Sequence, residues 1–494
     1  MPDSGPDRAR PDTFAARAIP LILAIALFME QMDSTVIATS LPAIALDIGT
    51  SPIALKLALT AYLVSLAIFI PVSGWMADRY GAKRIFTAAI GVFVLGSILC
   101  AVSGSLAAFV GSRFLQGMGG AMMTPVARLV LVRATPKSEL VSAMAWLTIP
   151  ALVGPLVGPP VGGFITTYFS WHWIFLINVP IGLAGMWLAS RVLPDIREQG
   201  AYPLDRAGFV LSALAASGIV FGLSVVSLPA LPPAVGIATL LAGIVFGALY
   251  VRHARRAARP ILDLRLFANP VFRAAITGGS FFRIGAGAVP FLLPLFFQLG
   301  FGMTPFQSGM LTFASAGGAI ALKFMASAAL RLGGFRNVLI VGALAGAGFI
   351  AVNSFFTPLT PGPVILAVLF ASGFLRSLFF TSVNALVFAD IEEKDAAQAT
   401  ALAAVSQQIS IALGVAVAGV VLEAISTLTG QPLGIPAFSI AFLIVAGLTA
   451  LAAVPFVFLD PDAGASVSGR APVSRSTSPI SPPGLDPKVP PPAP

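Results

Sequence analysis

A hydrocarbon core of about 30 Å is spanned by roughly 20 consecutive apolar residues in a helix, and this sequence is built almost wholly from runs of that length. Fourteen can be marked, starting near Ile19, Ile53, Arg84, Leu106, Glu139, Trp173, Ala207, Pro233, Phe272, Phe306, Phe335, Gly362, Ala397 and Ala437, with the last ending near Leu459. The chain is 57% hydrophobic and only 10% charged, against about 25% charged in soluble domains. A water-soluble fold could not hide that much apolar surface. The expectation is an all-α polytopic membrane protein with 14 transmembrane helices, an even number that puts both termini on one side.

Charge fixes the orientation expected. Of the 29 Lys and Arg, 24 fall in the tails and in the loops after the even-numbered spans; Lys56 alone falls in an opposite-side loop, and Arg113, Arg283, Lys323 and Arg376 fall within spans. Basic residues concentrate on the cytoplasmic side of membrane proteins, so both termini are expected in the cytoplasm. The net charge of +9 forms no basic stripe with interleaved aromatics, and no nucleic-acid partner is expected. The polar N-terminus, with Arg8, Arg10 and Arg17, precedes an apolar run without a small-residue cleavage site, so that run reads as a retained signal anchor.

A basic connection from Arg252 to Arg273 is the best candidate for a seam between two bundles, with anionic lipid as its natural neighbour and a solvated basic loop as the alternative. A faint internal echo supports repeated halves: Gly74-Trp-Met-Ala-Asp78-Arg79-Tyr-Gly81-Ala-Lys83-Arg84 after the second span is matched by Arg331-Leu-Gly-Gly334-Phe-Arg336 after the tenth. Beyond Leu459 the chain turns Pro- and Ser-rich and reads as a disordered tail. The single Cys100 cannot form a disulfide or a cysteine metal site within one chain. No HExxH, GxxxxGK or His/Cys cluster points to an integral-membrane enzyme or a metal site.

Four motifs carry a resemblance. The loop with Gly74, Asp78, Arg79, Gly81, Lys83 and Arg84 resembles the signature of the major facilitator superfamily, which gates the cytoplasmic side. Arg113-Phe-Leu-Gln116-Gly117-Met-Gly119-Gly120 in the fourth span resembles the superfamily's second signature. Gly154-Pro155-Leu-Val-Gly158-Pro159-Pro160-Val-Gly162-Gly163 in the fifth resembles the antiporter signature of its exporters, with Ala145 where the leading glycine usually stands. Met32-Asp33-Ser34-Thr35-Val36-Ile37-Ala38-Thr39-Ser40-Leu41-Pro42 is similar to the first-helix signature of the fourteen-helix EmrB/QacA-type drug/proton antiporters. Arg283-Ile-Gly285, Pro290 to Pro294 and Gln407-Gln408 resemble MdtD-type members.

That resemblance implies the major facilitator fold, two six-helix bundles plus two extra central helices: a tail over 1–18, bundles over 19–194 and 272–459, the extra pair and basic linker over 195–271, and a tail over 460–494. It implies a secondary transporter of the bacterial inner membrane, needing no cofactor, driven by the proton gradient, and exporting hydrophobic or cationic drug-like molecules. Its partners would be a small-molecule substrate and the lipid bilayer; an accessory efflux partner is left open. The rivals are a proton-coupled uptake symporter or an exporter of one metabolite, because fold alone does not set function. A constant-pore channel suits gating and bending signatures less well.

The residues themselves supply a coupling hypothesis. Glu30 and Asp33, spaced i, i+3, share a helix face, and acids in a span are expected to face a cavity rather than lipid. At about 1.5 Å per residue, Asp33 lies roughly 21 Å along the first span and Arg113 roughly 10 Å along the antiparallel fourth, so their depths coincide. Asp33 or Glu30 would then exchange the proton under the control of Arg113; a purely structural Asp33 to Arg113 pair is the alternative. Glu30, Gln116, Arg283, Gln298, Asn384 and Gln407 are the candidate cavity residues, with interhelical packing the competing role for the amides. The glycines at 154, 158 and 162 leave one helix face bare for close approach, and Pro155 and Pro159 permit bending.

Overall fold

The computed structural model describes residues 13–135, 139–197, 203–226, 228, 231–322 and 326–465. Its first half comprises α1 (Thr13–Val36), α2 (Leu41–Asp47), α3 (Lys56–Tyr80), α4 (Ala82–Ala101), α5 (Leu106–Ala134), α6 (Leu140–Tyr168), α7 (Trp173–Leu176) and α8 (Asn178–Val192). The helices α9 (Arg206–Val226) and α10 (Pro233–Ala254) follow. Its second half comprises α11 (Pro270–Leu295), α12 (Pro305–Ala321), α13 (Ala326–Val352), α14 (Gly362–Val387), α15 (Ala396–Thr429), α16 (Ile435–Ala450) and α17 (Ala453–Val457). No strand occurs among the described residues.

Twelve helical stretches of the described residues are long and apolar enough to cross a membrane. The two other expected spans coincide with α6, a 29-residue helix without an Asp, Glu, Lys, Arg or His, and with α12. The first helix starts at Thr13, earlier than the boundary expected near Ile19. Lys323 and the tail from residue 466 lie outside the described residues, as do residues 1–12.

Each half has its own core. In the first, α1 packs on α6 and α8, while α5 packs on α3 and α4; in the second, α11 packs on α15 and α16, and α14 on α12 and α13. The halves meet where α3 lies along α15 and α6 along α12. The extra pair stands outside this seam: α9 rests on both α3 and α15, and α10 packs chiefly on α9 at close range, with Gly218 against Gly243. The end at which the chain enters α1 and leaves α17 is the terminal end; the opposite one is the far end.

The faint sequence echo is geometric. Gly81 separates α3 from α4 at φ 98°, ψ 128°, and Gly334 breaks α13 at φ 69°, ψ 165°. Both sit where only glycine is comfortable, and each turns the chain between two helices. The basic seam folds back as a strap: Asp205 accepts from the Ile261 N–H and meets His253 at 2.7 Å, and Tyr250 and Leu262 exchange hydrogen bonds of 2.7 and 3.0 Å. Within it, hydrogen bonds from Arg265 hold the Asp263 carboxyl below the usual carboxylate range.

Lys56 departs from expectation. It is the first residue of α3 and fully buried, not a loop residue, because the far-end halves close over it.

Candidate functional site

The first helix owes its position to the bare face of α6. A side chain at Gly154 would strike Gln31 Cβ at 2.9 Å and Met32 N at 3.0 Å; one at Gly158 would strike Thr35, and one at Gly162 Val36 and Thr39. Four-residue spacing therefore seats the chain from Gln31 in α1 to Thr39 just beyond it. The adjacent Gly163 receives Pro305 and Phe306 of α12, and Gly309 receives Pro159 in return, so α6 grips α1 on one side and the opposite half on the other.

That seat turns Asp33 inward. Its Oδ2 accepts from Arg113 Nη1 at 2.7 Å, and its Oδ1 accepts from Gln116 Nε2 at 2.8 Å and Asn178 Nδ2 at 2.9 Å. Gln116 and Asn178 both also donate to Ser97 Oγ. Arg113 donates in addition to Gln116 Oε1 and stands over the Tyr62 ring at 4.3 Å, a favourable cation–π distance. Asp33 and Arg113, 0% and 1% exposed, thus tie α1 to α5, α4 and α8. The predicted pair is in contact, yet Asp33 does not face the cavity as expected.

Glu30 does. A cavity of about 280 Å³ lies at the seam, lined among others by Glu30, Ser34, Tyr62, Arg113, Phe291 and Gln407. Glu30 accepts one hydrogen bond, from Thr124 Oγ1 at 2.8 Å. Gln408 lines the cavity beside Gln407. The far end is sealed: Gln298 donates to the Thr39 carbonyl across the seam at 2.9 Å, the Phe306 N–H donates to Thr167 Oγ1, and one apolar cluster joins Val36, Ile37 and Leu41 to Phe291, Phe296 and Phe297. Ser34, midway along the molecule, is exposed, so the cavity opens toward the terminal end.

Four other expected cavity residues lie elsewhere. Gln116 belongs to the Asp33 network, and Gln298 to the far-end seal. Arg283, buried, donates from Nη2 to Asn384 Oδ1 at 2.9 Å and stands 5.6 Å from the Phe380 ring, one turn toward the terminal end from cavity-lining Gly287. Asn384 is exposed there. In the loop motif, Asp78 accepts from Arg133 Nη1 at 2.9 Å, Gly81 packs on Asp195 and Arg197, and Gly74, Arg79 and Arg84 are exposed with Lys83 half-buried. Asn178 and Ser97 were not singled out as site residues from sequence; a polar side chain inside an apolar run was the available signal.

The profile of the Major Facilitator Superfamily matches residues 23–414 and 275–485. An MdtD protein of Serratia proteamaculans, named for multidrug resistance, is 35% identical over 448 residues, 89% of this chain and 93% of the relative. Another MdtD protein bearing that name, from Yersinia enterocolitica, is 35% identical over 450 residues, 90% of this chain and 95% of the relative. Among solved structures, a D-xylose-proton symporter superposes with TM-score 0.65 at 15% identity, covering 91% of this chain and 99% of that one. The POT family transporter PepTSo does so with TM-score 0.66 at 14% identity, covering 92% and 98%. These two likenesses speak to the fold.

Proposed function

The chain belongs to the major facilitator superfamily, and from that premise we propose that it is a proton-coupled antiporter exporting hydrophobic or cationic drug-like molecules by alternating access. It is a multi-pass protein of the bacterial inner membrane. The reading adds 14 crossings with both termini cytoplasmic, so that the cavity faces the cytoplasm in this conformation.

The observation that carries the proposal is Glu30: a buried carboxylate with, among the described residues, a single hydroxyl donor, in a cavity lined by aromatic, aliphatic, hydroxyl and amide side chains and bordered by Arg113. A carboxylate removed from water is satisfied by a proton or by a cationic ligand, and the two compete for one site. A cation entering from the cytoplasm releases the proton from Glu30; after the halves rock, a proton from outside reclaims the carboxylate and the cation leaves. Asp33, Gln116, Asn178 and Arg113 hold α1 in register while Arg113 borders the cavity. The names of the MdtD relatives support the drug-like substrate class, and the antiporter signature on α6 supports the direction.

The test is dye transport in everted vesicles with and without a pH gradient. Gradient-driven dye accumulation by the parent, lost in Glu30→Gln and in Asp33→Asn, is the expected result. Gradient-driven uptake into intact cells would make the protein a symporter and overturn the direction; full transport by Glu30→Gln would overturn the site.

A further inference from the structure

Three large basic side chains are fully buried in the described residues: Arg113, Arg283 and Lys56. The third lies beyond the far end of the cavity, one turn along α3 from cavity-lining Leu59. Lys56 opens α3 at the far end, and its stem runs along α15 of the opposite half, where a Cβ at Gly419 would meet its Cδ and would come within 3.2 Å of both Cε and Nζ. One turn on along the same face of α15 stands Glu423, also buried, and the two attract electrostatically. A cation from one half and a carboxylate one helical turn along α15 of the other therefore lie near each other in the sealed seam, with Gly419 leaving the groove in which the lysine lies.

We propose that Lys56 and Glu423, seated by Gly419, form the charge latch that holds the far end closed; this rests on the alternating-access reading above. Two buried opposite charges are costly to part when only one of them reaches water, since the other remains desolvated and uncompensated. Closure is different: each charge brings the other a partner, and the Gly419 groove admits the lysine without a clash. The latch therefore resists small separations of α3 from α15 and gives way when both charges reach water together. Outward opening requires that step, which makes the pair a determinant of the rate at which the cavity is exposed to the far side.

The test reads conformation, not transport. In a Cys100→Ser background, a Ser34→Cys reporter in the cavity is labelled by an impermeant maleimide added outside intact cells. The expected result is that Lys56→Gln and Glu423→Gln each raise the labelling rate at least tenfold, that Gly419→Ala does the same, and that the Lys56→Gln, Glu423→Gln double variant labels no faster than either single, as coupled partners should. Labelling of the same reporter from the cytoplasmic face in everted vesicles shows that each variant is folded. Single variants labelled at the parental rate, or effects that multiply in the double, would overturn the latch. Because labelling needs neither substrate nor gradient, loss of the export reading in the dye assay leaves this result standing, and dye export with unchanged labelling removes the latch alone.

Discussion

Asp33 shows what two neighbouring acids on one helix can become. Three residues along a helix turn the side chain through about 300°, leaving the pair about 60° apart, enough to aim Glu30 at the cavity and Asp33 at the packed interior. The spacing made both acids visible in the sequence but not this division, which depends on how α6 sets the rotation of α1. Arg113 is held by geometry as well as charge, since it serves Asp33, Gln116 and the Tyr62 face together. Arg113→Gln leaves Asp33 as an uncompensated buried charge, so thermal unfolding in detergent should show a loss of about 3–5 kcal/mol. Arg113→Lys should not restore the parent, because an ammonium lacks the planar fork and stacks poorly; a fully restored midpoint would mean that charge alone matters there. Asn178→Leu should cost less, about 1–3 kcal/mol, since Asp33 keeps two of its three donors. Asn178 was hard to read in advance because one amide in an apolar helix looks the same whether it bonds a neighbour helix, a substrate or the Asp33 carboxylate.

The glycines of α6 carry meaning only as an element, and their four-residue period was plain in the sequence. What it could not give was the partner, since a bare face accepts any helix; the structure assigns α1 to one side and α12 to the other. Gly162→Ala would drive a methyl into the Val36 carbonyl and Gly309→Ala one into that of Pro159, so dye efflux should fall at least tenfold in each, with overpacking costs of about 1–3 kcal/mol in stability. Gly111→Ala on α5 and Gly348→Ala on α13, where nothing lies within 4 Å, should leave both near parental values. The loop motif separates the same way. Gly81→Ala meets both a positive φ and the Asp195 and Arg197 side chains, whereas Gly74→Ala enters open space within a helix. Expression and efflux should fall for the first and hold for the second. Equal losses at 74 and 81 would mean that the motif acts through an unrelated contact.

Across the whole molecule, the period of apolar runs and the one-sided basic loops expose the helix order, while the far-end seal is written in residues with no shared pattern: Thr39, Lys56, Gln298, Gly419. Such contacts arise from two distant segments meeting, and neither segment announces the other. The extra pair makes the clearest case for testing at this scale. If α9 and α10 are two crossings, as in the topology proposed above, their removal leaves the parity of the chain unchanged, so both termini should stay on one side, the cytoplasmic one in that proposal. Their removal bares Val64 and Ile68 on α3 and Ala412 on α15, which pack with Val220 of α9. In a bilayer, lipid replaces that contact, and lipid tails are as apolar as the side chains they cover, so the loss is of close packing alone and not of a hydrophobic drive. A chain with 206–254 replaced by a short Gly/Ser linker should therefore insert, keep its fold, and melt a few degrees lower. Leu359→Cys in the parent, 92% exposed at the far end, should be labelled by an impermeant maleimide in intact cells, and Arg255→Cys only after permeabilisation; in the shortened chain, Leu359→Cys should behave as before. Failure of the shortened chain to insert, or inverted labelling of Leu359→Cys, would show that the pair organises the two halves instead of bracing a seam they already form.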